Sequence, residues 1–169
     1  MRVVRHFRFA TALLALCALP ATPALARDGL GIFDDWGAFR DPNVPRCYAI
    51  AMAAGSRGRK NDFQPFATVG LWPKQGLRNE VHFRLSRRLA AGSPARLRIG
   101  DQSFDLATGQ GDAWAQDKRM DAAIVAAMRS ATGMTVTARA ADGRAVRDSY
   151  RLSGAGSAID AASLGCAQG

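Results

Sequence analysis

Carboxylates near tryptophans are the residues of this sequence whose types and spacing come closest to a catalytic pattern. They form two groups, Asp34 and Asp35 beside Trp36, and Asp112, Asp117 and Asp121 around Trp114. Two carboxyl groups at a defined separation can act as general acid and base on a sugar. We favour a structural interpretation of both groups, a polar turn at Asp34-Asp35 and acids that begin a helix at Asp117 and Asp121, where the helix dipole stabilises negative charge.

Histidine offers neither a metal site nor a catalytic centre that the sequence can identify. Beyond residue 26 the chain has one histidine, His82, which shares the polar side of the segment VHFRLS with Arg84. A zinc site needs several histidines or free thiolates, and the strained nucleophile turn G-x-S-x-G does not occur. We therefore expect no metal, no cofactor and no enzymatic activity, with His82 a surface residue.

Residues 1–26 have the pattern of a cleavable export signal. An arginine-containing start is followed by an apolar run at 9–19 and a small-x-small motif at 24–26. The apolar run is shorter than the roughly 20 residues that span a bilayer. We expect a periplasmic or secreted protein that begins at Arg27 and has no transmembrane segment. Lipidation at Cys17 is the alternative processing.

The two cysteines beyond the leader are Cys47 and Cys166. Because an exported chain folds in an oxidising compartment, we expect these two residues to form a disulfide. The bond would close a loop of more than 100 residues and contribute roughly 4 to 5 kcal/mol in the chain-entropy model. The alternative is two separately buried thiols.

The chain is basic, and its densest basic cluster is SRGRKND, with Arg57, Arg59 and Lys60. Removing the leader, which contains three arginines and no acid, lowers the formal net charge from +9 to +6. We interpret the cluster as a solvated hairpin tip, with contact to an anion as the alternative. Nucleic-acid binding would need basic residues interleaved with stacking aromatics, so we expect no nucleic-acid partner.

Alternating apolar and polar residues predict a mainly β protein. The 169 residues are 48% hydrophobic and 22% charged, a balance that excludes collagen, a disordered tail and a polytopic membrane protein. Period-two alternation predicts strands in CYAIAMA, FATVGLW, VHFRLS, ARLRIG, QSFDLA and MTVTAR, and in RAVRDSYRL after the turn at Asp142-Gly143. FATVGLW is apolar on both faces, which is typical of a central strand.

Two helices are expected beside the strands. Helical spacing of apolar residues predicts an amphipathic helix from Asp117 to about Ala131. A short C-terminal helix is expected from Ser157 to Leu164, with Gly165 ending it and Cys166 directly after. The predicted fold is thus an antiparallel β-sandwich-like domain that occupies residues 27–169 as one unit.

Several segments in their order along the chain resemble a known family. They are Trp36 followed by CYAIA, FATVGLW (Phe66–Trp72), LRIGDQSFDL (Leu97–Leu106), DAAIVAAMRSATGMTVTA (Asp121–Ala138) and YRLSGAGSAID (Tyr150–Asp160). Together they resemble the invasion-associated locus B family of Gram-negative cell-envelope proteins. The resemblance implies an exported, mostly β domain without catalytic residues, associated in some members with host-cell entry.

The expected function is therefore binding or structural, in the cell envelope and without catalysis. The partner would be an unidentified protein or envelope component, and the protein a monomer or weak oligomer. One alternative is a small periplasmic hydrolase or carbohydrate-acting protein that uses the carboxylates near Trp36 and Trp114. Another is a cationic module that docks on anionic envelope polymers, which predicts an arginine-rich face and binding that collapses with added salt.

Overall fold

A computed structural model describes residues 27–56, 58 and 60–167. The described residues form ten strands and two α-helices. The strands are β1 (Asp28–Phe33), β2 (Trp36–Asp41), β3 (Arg46–Met52), β4 (Phe66–Trp72), β5 (Leu77–Arg84), β6 (Ala95–Ile99), β7 (Gln102–Thr108), β8 (Asp112–Trp114), β9 (Gly133–Arg139) and β10 (Ala145–Arg151); the helices are α1 (Lys118–Met128) and α2 (Ala155–Ala167).

All ten strands belong to one antiparallel sheet, in the order β1-β2-β3-β4-β5-β8-β7-β6-β9-β10. The prediction of a mainly β, antiparallel fold is confirmed. We call β1–β5 with β8 the first half of the sheet, and β6, β7, β9 and β10 the second half. Every predicted strand is present, whereas β1 and β8 were not identified as strands from the sequence.

The sheet curls so that its last strand lies against the first half, which produces the sandwich-like shape. The indole Nε1 of Trp36 donates to the carbonyl of Arg151 at 2.9 Å. The Ala54 amide donates to the Ser149 carbonyl at 2.7 Å. The rings of Phe83 in β5 and Tyr150 in β10 meet across the core with centroids 5.9 Å apart. Each strand therefore has an inner face toward the core and an outer face.

Alternation assigns the inner face correctly in most strands. Val81 and Phe83 of β5 are buried, and so are Leu97 and Ile99 of β6 and Met134 and Val136 of β9. The loops between them use the expected turns, with Gly100 and Gly143 both at positive φ. Period-two patterning is reliable here because one face of each strand is large and apolar and the other is polar.

In β3, alternation groups the residues correctly but does not show which group is buried. Tyr48, Ile50 and Met52 do share a face, but the inner face consists of Cys47, Ala49 and Ala51, which are at most 3% exposed. Helix α2 packs on this part of the sheet and presents alanines of its own, so small side chains let helix and sheet approach closely. The larger side chains of β3 are thereby left on the outer face.

Strand β4 shows the same division. It lies between β3 and β5, which confirms its central position. Burial alternates along the strand, however. Ala67, Val69 and Leu71 face the core, whereas the even-numbered residues from Phe66 to Trp72 are only partly buried. Strand β4 thus has apolar side chains on its outer face, and the core does not cover them.

Helix α1 begins where the sequence predicted and ends at Met128, before Ala131. Asp117 caps it by accepting a hydrogen bond from the Met120 amide at 2.8 Å. Asp121 is buried and accepts a hydrogen bond from the Val81 amide of β5 at 2.8 Å. Burial raises the pKa of the Asp121 carboxyl above its ordinary value, because the charged form loses hydration. Asp117 therefore has the helix-starting role expected of it, whereas Asp121 is a buried acceptor for β5 whose charge is disfavoured by burial and not stabilised by the helix dipole.

Helix α2 is longer than predicted and includes Cys166. Gly165 does not end the helix; a Cβ there would lie 2.5 Å from Cδ1 of Leu30 in β1, so glycine allows the helix to contact the sheet closely. The Cys47–Cys166 disulfide is present, with Cα atoms 5.7 Å apart and a sequence separation of 119 residues. It joins the last turn of α2 to the inner face of β3.

Residues 1–26, including Cys17, and Arg57 and Arg59 lie outside the described residues, so the leader and most of the basic cluster stay predictions. Within the described residues, no helix is long and apolar enough to cross a membrane. The same part of the chain contains no cluster of three or more histidine, cysteine or acidic side chains that could hold a metal ion.

Candidate functional site

The outer face of the first half carries a cavity lined by aromatic rings, which we call the aromatic bay. Its volume is about 530 Å³. The rings come from alternate positions of four neighbouring strands, because outward-facing residues repeat with period two. The lining residues are Tyr48, Phe66, Trp72, His82 and Trp114, with Arg27, Arg46, Ile50, Thr68, Gly70 and Glu80 between them.

Strand register fixes which of these side chains are neighbours. Tyr48, Gly70 and Glu80 lie opposite one another across β3, β4 and β5. The next row contains Ile50, Thr68, His82 and Trp114 across β3, β4, β5 and β8. The floor of the bay is therefore formed by interior strands whose backbone groups are already paired on both sides.

At one end of the bay, Arg46 lies between two rings. Its guanidinium carbon is 4.8 Å from the centroid of Tyr48 and 5.2 Å from that of Trp72. The Trp72 indole Nε1 donates to Oε2 of Glu80 at 2.7 Å. A Cβ on Gly70 would be 3.4 Å from that Nε1, so the indole lies directly over Gly70. These contacts hold the Trp72 ring along the sheet surface.

At the other end, His82 is stacked on Trp114, with ring centroids 5.3 Å apart and planes inclined by 24°. The edge of the Phe66 ring also contacts His82, at 5.7 Å between centroids. His82 Nε2 lies 2.9 Å from Oδ1 of Asp112. The other oxygen of this carboxylate, Oδ2, accepts a hydrogen bond from Arg84. His82 is thus fixed by packing and hydrogen bonding, and only 24% of its side chain is exposed.

The expectation that His82 is a simple surface residue was incomplete, since it lines the bay beside an aspartate. Among the described residues, however, no serine or cysteine makes a hydrogen bond to His82 or Asp112. Glu80 is the one carboxylate among the described lining residues. The described lining residues thus bring five rings together with the polar side chains of Thr68 and Glu80.

The acids near Trp36 have structural partners. Asp34 adopts φ +48° in the turn between β1 and β2 and accepts a hydrogen bond from the Ser153 hydroxyl at 2.8 Å. Asp35 forms a two-bond pair with Arg151, which lowers the pKa of the Asp35 carboxyl. Trp36 itself is buried in the core. The turn interpretation of Asp34 and Asp35 is confirmed.

The outer face of the second half is basic and rich in hydroxyls, and we call it the basic face. Its cavity, of about 580 Å³, is lined by Arg96, Arg98, Ser103, Thr135, Thr137 and Arg147, with neighbouring backbone. Arg96 forms an ion pair with Asp105 at 2.8 Å. Arg98 and Arg147 form no ion pair with any other residue in the described ranges.

Arg147 also lines a neighbouring cavity of about 460 Å³ together with Lys60, Arg87 and Arg144. Arg144 is paired with Asp142 at 2.6 Å, and Arg87 approaches the same carboxylate at 3.8 Å. Of the predicted basic cluster only Lys60 can be placed, and it lies beside arginines distant in sequence. Sequence reasoning identified the basic cluster but not the arginines that line the same cavity as Lys60, because only the fold brings these segments together.

Sequence reasoning also missed the aromatic bay, since it did not place Phe66, Trp72 and Trp114 on one surface. The segment FATVGLW carried the signal. Phe66 and Trp72 fall at even-numbered positions of this strand, and the aliphatic Ala67, Val69 and Leu71 fall at odd-numbered positions. A strand with rings on one side and small residues on the other can bury the small side. The rings are then left on the outer face.

The architecture is that of a small antiparallel β domain whose C-terminal helix is fixed to the sheet by a disulfide. A family model described as "Invasion associated locus B (IalB) protein" matches residues 55–163. The chain belongs to this family, as the resemblance in the sequence predicted. No curated protein and no solved structure matches the chain.

Proposed function

We propose that this member of the invasion associated locus B family is an exported, non-enzymatic binding protein of the cell envelope that recognises its ligand with the aromatic bay. The single observation behind this proposal is the set of rings on the outer face of β3, β4, β5 and β8. None of the bay's rings belongs to the hydrophobic core cluster. A partly exposed ring surface with a few polar groups is typical of a binding site.

The polar groups of the bay favour binding over catalysis. Glu80 accepts the Trp72 indole hydrogen, and His82 is bonded to Asp112. Each of these interactions orients a side chain within the wall of the bay. Groups held in this way provide a preorganised surface, which lowers the entropic cost of binding.

The disulfide favours an exported location. A Cys47–Cys166 bond persists in an oxidising compartment and is rare in the cytosol. Cleavage after Ala26 would begin the exported chain at Arg27, at the rim of the bay. Mass analysis of the protein purified from its native envelope checks both points. We expect Arg27 at the N-terminus and the mass of an oxidised cysteine pair; an intact leader with two free thiols would contradict export.

Sedimentation with cell-envelope material tests the use of the bay. Purified residues 27–169 are mixed with isolated sacculi and, separately, with lipopolysaccharide vesicles, and the bound fraction is measured after centrifugation. Trp72→Ala and Trp114→Ala should each lower the bound fraction at least about fivefold, because a buried ring at a binding site typically contributes more than 1 kcal/mol. Leu164→Ala, which removes an apolar side chain that is 64% exposed on α2, is the matched control and should bind normally.

Absence of any effect of the two tryptophan variants on sedimentation would contradict the use of the bay. The non-enzymatic part of the proposal has a separate readout. Sacculi or vesicles incubated with the protein should release no new soluble product by mass spectrometry. A product that disappears with Asp112→Asn, which removes the carboxylate beside His82, would favour the hydrolase alternative instead.

The basic face favours a second candidate function, docking on anionic envelope polymers. Arg98 and Arg147 face the same cavity as the hydroxyls of Thr135 and Thr137. An arginine without a carboxylate partner can bind phosphate or carboxylate groups through two parallel hydrogen bonds. Docking of this kind predicts sedimentation that falls steeply between low and physiological salt and is weakened by Arg98→Gln with Arg147→Gln. Salt-independent sedimentation would exclude it.

A further inference from the structure

Arg46 is held in place by the rings of the aromatic bay and yet uses few of its hydrogen-bond donors. Its Nε is buried and has no hydrogen-bond partner among the described residues. Its ion pair with Oδ2 of Asp41 is long, at 3.9 Å from Nη2. A guanidinium has five N–H donors, and leaving the buried Nε–H without an acceptor is costly. The position of Arg46 therefore suits an oxygen-rich anionic group from outside the chain.

We propose that the aromatic bay binds a carboxylated saccharide, with the sugar ring on Trp72 and Trp114 and the carboxylate on Arg46. The inference rests on the proposed function of the bay and specifies its ligand class. The carboxylate would form the bidentate pair that guanidinium geometry favours. Sugar hydroxyls would meet Glu80, Thr68 and His82, the polar groups that lie between the rings.

The rings and their placement favour a sugar over a peptide. Peptides commonly bind a sheet by adding a strand at its edge, where unpaired backbone groups are available. The bay instead lies on the face of β3, β4 and β5, which are interior strands with neighbours on both sides. Recognition must then use side chains alone. Flat aromatic faces, which are electron-rich, suit the weakly positive C–H groups on the face of a sugar ring.

The charges around the bay favour an acidic sugar over a neutral one. Arg27 and Arg46 both line the cavity, and both share Asp41 as a counter-ion at 3.9 Å. The one lining carboxylate among the described residues, Glu80, is occupied by the Trp72 indole. The described lining residues thus carry two arginines against one carboxylate, with Asp41 outside the lining, and Arg46 is oriented by stacking before the ligand arrives.

The test compares an acidic and a neutral ligand of equal length by isothermal titration calorimetry at fixed ionic strength. The probes are a trimer of galacturonic acid and a trimer of galactose. The acidic trimer should bind residues 27–169 about tenfold more tightly, which is the size expected for one charge-assisted bidentate pair. Trp72→Ala should abolish binding of both trimers, since both use the ring.

Arg46→Gln should remove the preference, so that the two trimers bind with similar affinity, whereas Arg46→Lys should retain part of it. Arg119→Gln is the matched control: it removes the same charge from an exposed position on α1 that lines neither the aromatic bay nor the basic face, and it should leave both affinities unchanged. Circular dichroism melts of each variant establish that it is folded. Because Arg46 lies on the outer face, the lysine variant keeps the test valid if the glutamine variant unfolds.

Three results would overturn the inference. In the first, the two trimers bind the unmodified protein equally. In the second, Arg119→Gln weakens the acidic trimer as much as Arg46→Gln does, so that the preference follows net charge and not the position of Arg46. In the third, neither trimer binds while Trp72→Ala still abolishes sedimentation with sacculi; the ligand class is then wrong and the proposed function stands. If Trp72→Ala leaves the fraction bound to sacculi unchanged, the proposed function itself is wrong.

Discussion

The outer faces of the two halves of the sheet share a backbone geometry but present different chemistry. On the first half, Arg46 is fixed between Tyr48 and Trp72. On the second half, Arg98 and Arg147 stand among hydroxyls and make no ion pair within the described part of the chain. The comparison teaches that arginine content alone does not define a site. An arginine packed between rings is oriented in advance, whereas an arginine beside small hydroxyls keeps its rotamer freedom and acts mainly through charge.

The two halves of the sheet also differ in the interactions that stabilise them. The disulfide and α2 are attached to the first half, where Cys47 lies on the inner face of β3. The second half is joined to the first through the short pairing of β7 with β8 and through contacts such as Phe83 with Tyr150. We expect perturbations of these features to affect the two faces unequally.

The largest effect should follow removal of the disulfide. The double variant Cys47→Ala with Cys166→Ala should lose about 4 kcal/mol of unfolding free energy in the chain-entropy model, because the bond closes a loop of more than 100 residues. Denaturant titration measures the loss. Hydrogen exchange should show increased opening of β1–β3 and α2 before β9 and β10. Uniform opening of both halves would contradict the expectation that the disulfide stabilises the first half more than the second.

A smaller effect is expected from matched substitutions on the two outer faces. Trp114→Ala removes the ring stacked on His82 and should cost about 0.5 to 1.5 kcal/mol beyond lost burial, as aromatic pairs do. Arg98→Ala at an exposed position of the basic face should change stability by less than about 0.5 kcal/mol, as surface substitutions usually do. Thermal unfolding of both variants checks the contrast. Equal losses would mean that the basic face is as tightly packed as the bay.

The smallest effect concerns the pH dependence that Asp121 gives to the packing of α1 on β5. Because burial raises the folded-state pKa of this carboxyl, the protonated form is the one the fold favours. The contribution is present below the unfolded-state pKa and is lost as pH rises through the folded-state pKa. Asp121→Asn, which can still accept the Val81 amide hydrogen, should therefore gain stability relative to the unmodified protein as pH rises from 3 to 7. Parallel pH profiles of unfolding free energy would contradict this assignment.

Much of the fold was predictable from the sequence because alternation is a local property. Strands such as β5 and β9 have one apolar and one polar face, so each could be oriented without knowledge of its neighbours. The buried face of β3 could not be found in this way. Both of its faces are apolar, and the packing of α2, which is encoded more than 100 residues later, decides which one is inside.

The sites were less predictable than the fold. Lys60 was identified from its local basic cluster, but Arg87, Arg144 and Arg147 join it only through pairing of distant strands. Gly165 was interpreted as a helix end because glycine commonly ends helices, whereas here it allows contact with Leu30. In each case, the deciding contact is between segments far apart in the chain, and no local pattern encodes it.

The place of Cys47 in β3 has a further consequence. It lies between Arg46 and Tyr48, so the strand that anchors the C-terminal helix on one side forms the wall of the aromatic bay on the other. In a reducing compartment the anchor would be absent, and helix α2 would be free to leave β1–β3. Reduction of this one bond would therefore act on both sides of β3, loosening the helix on the inner face and the aromatic surface on the outer face.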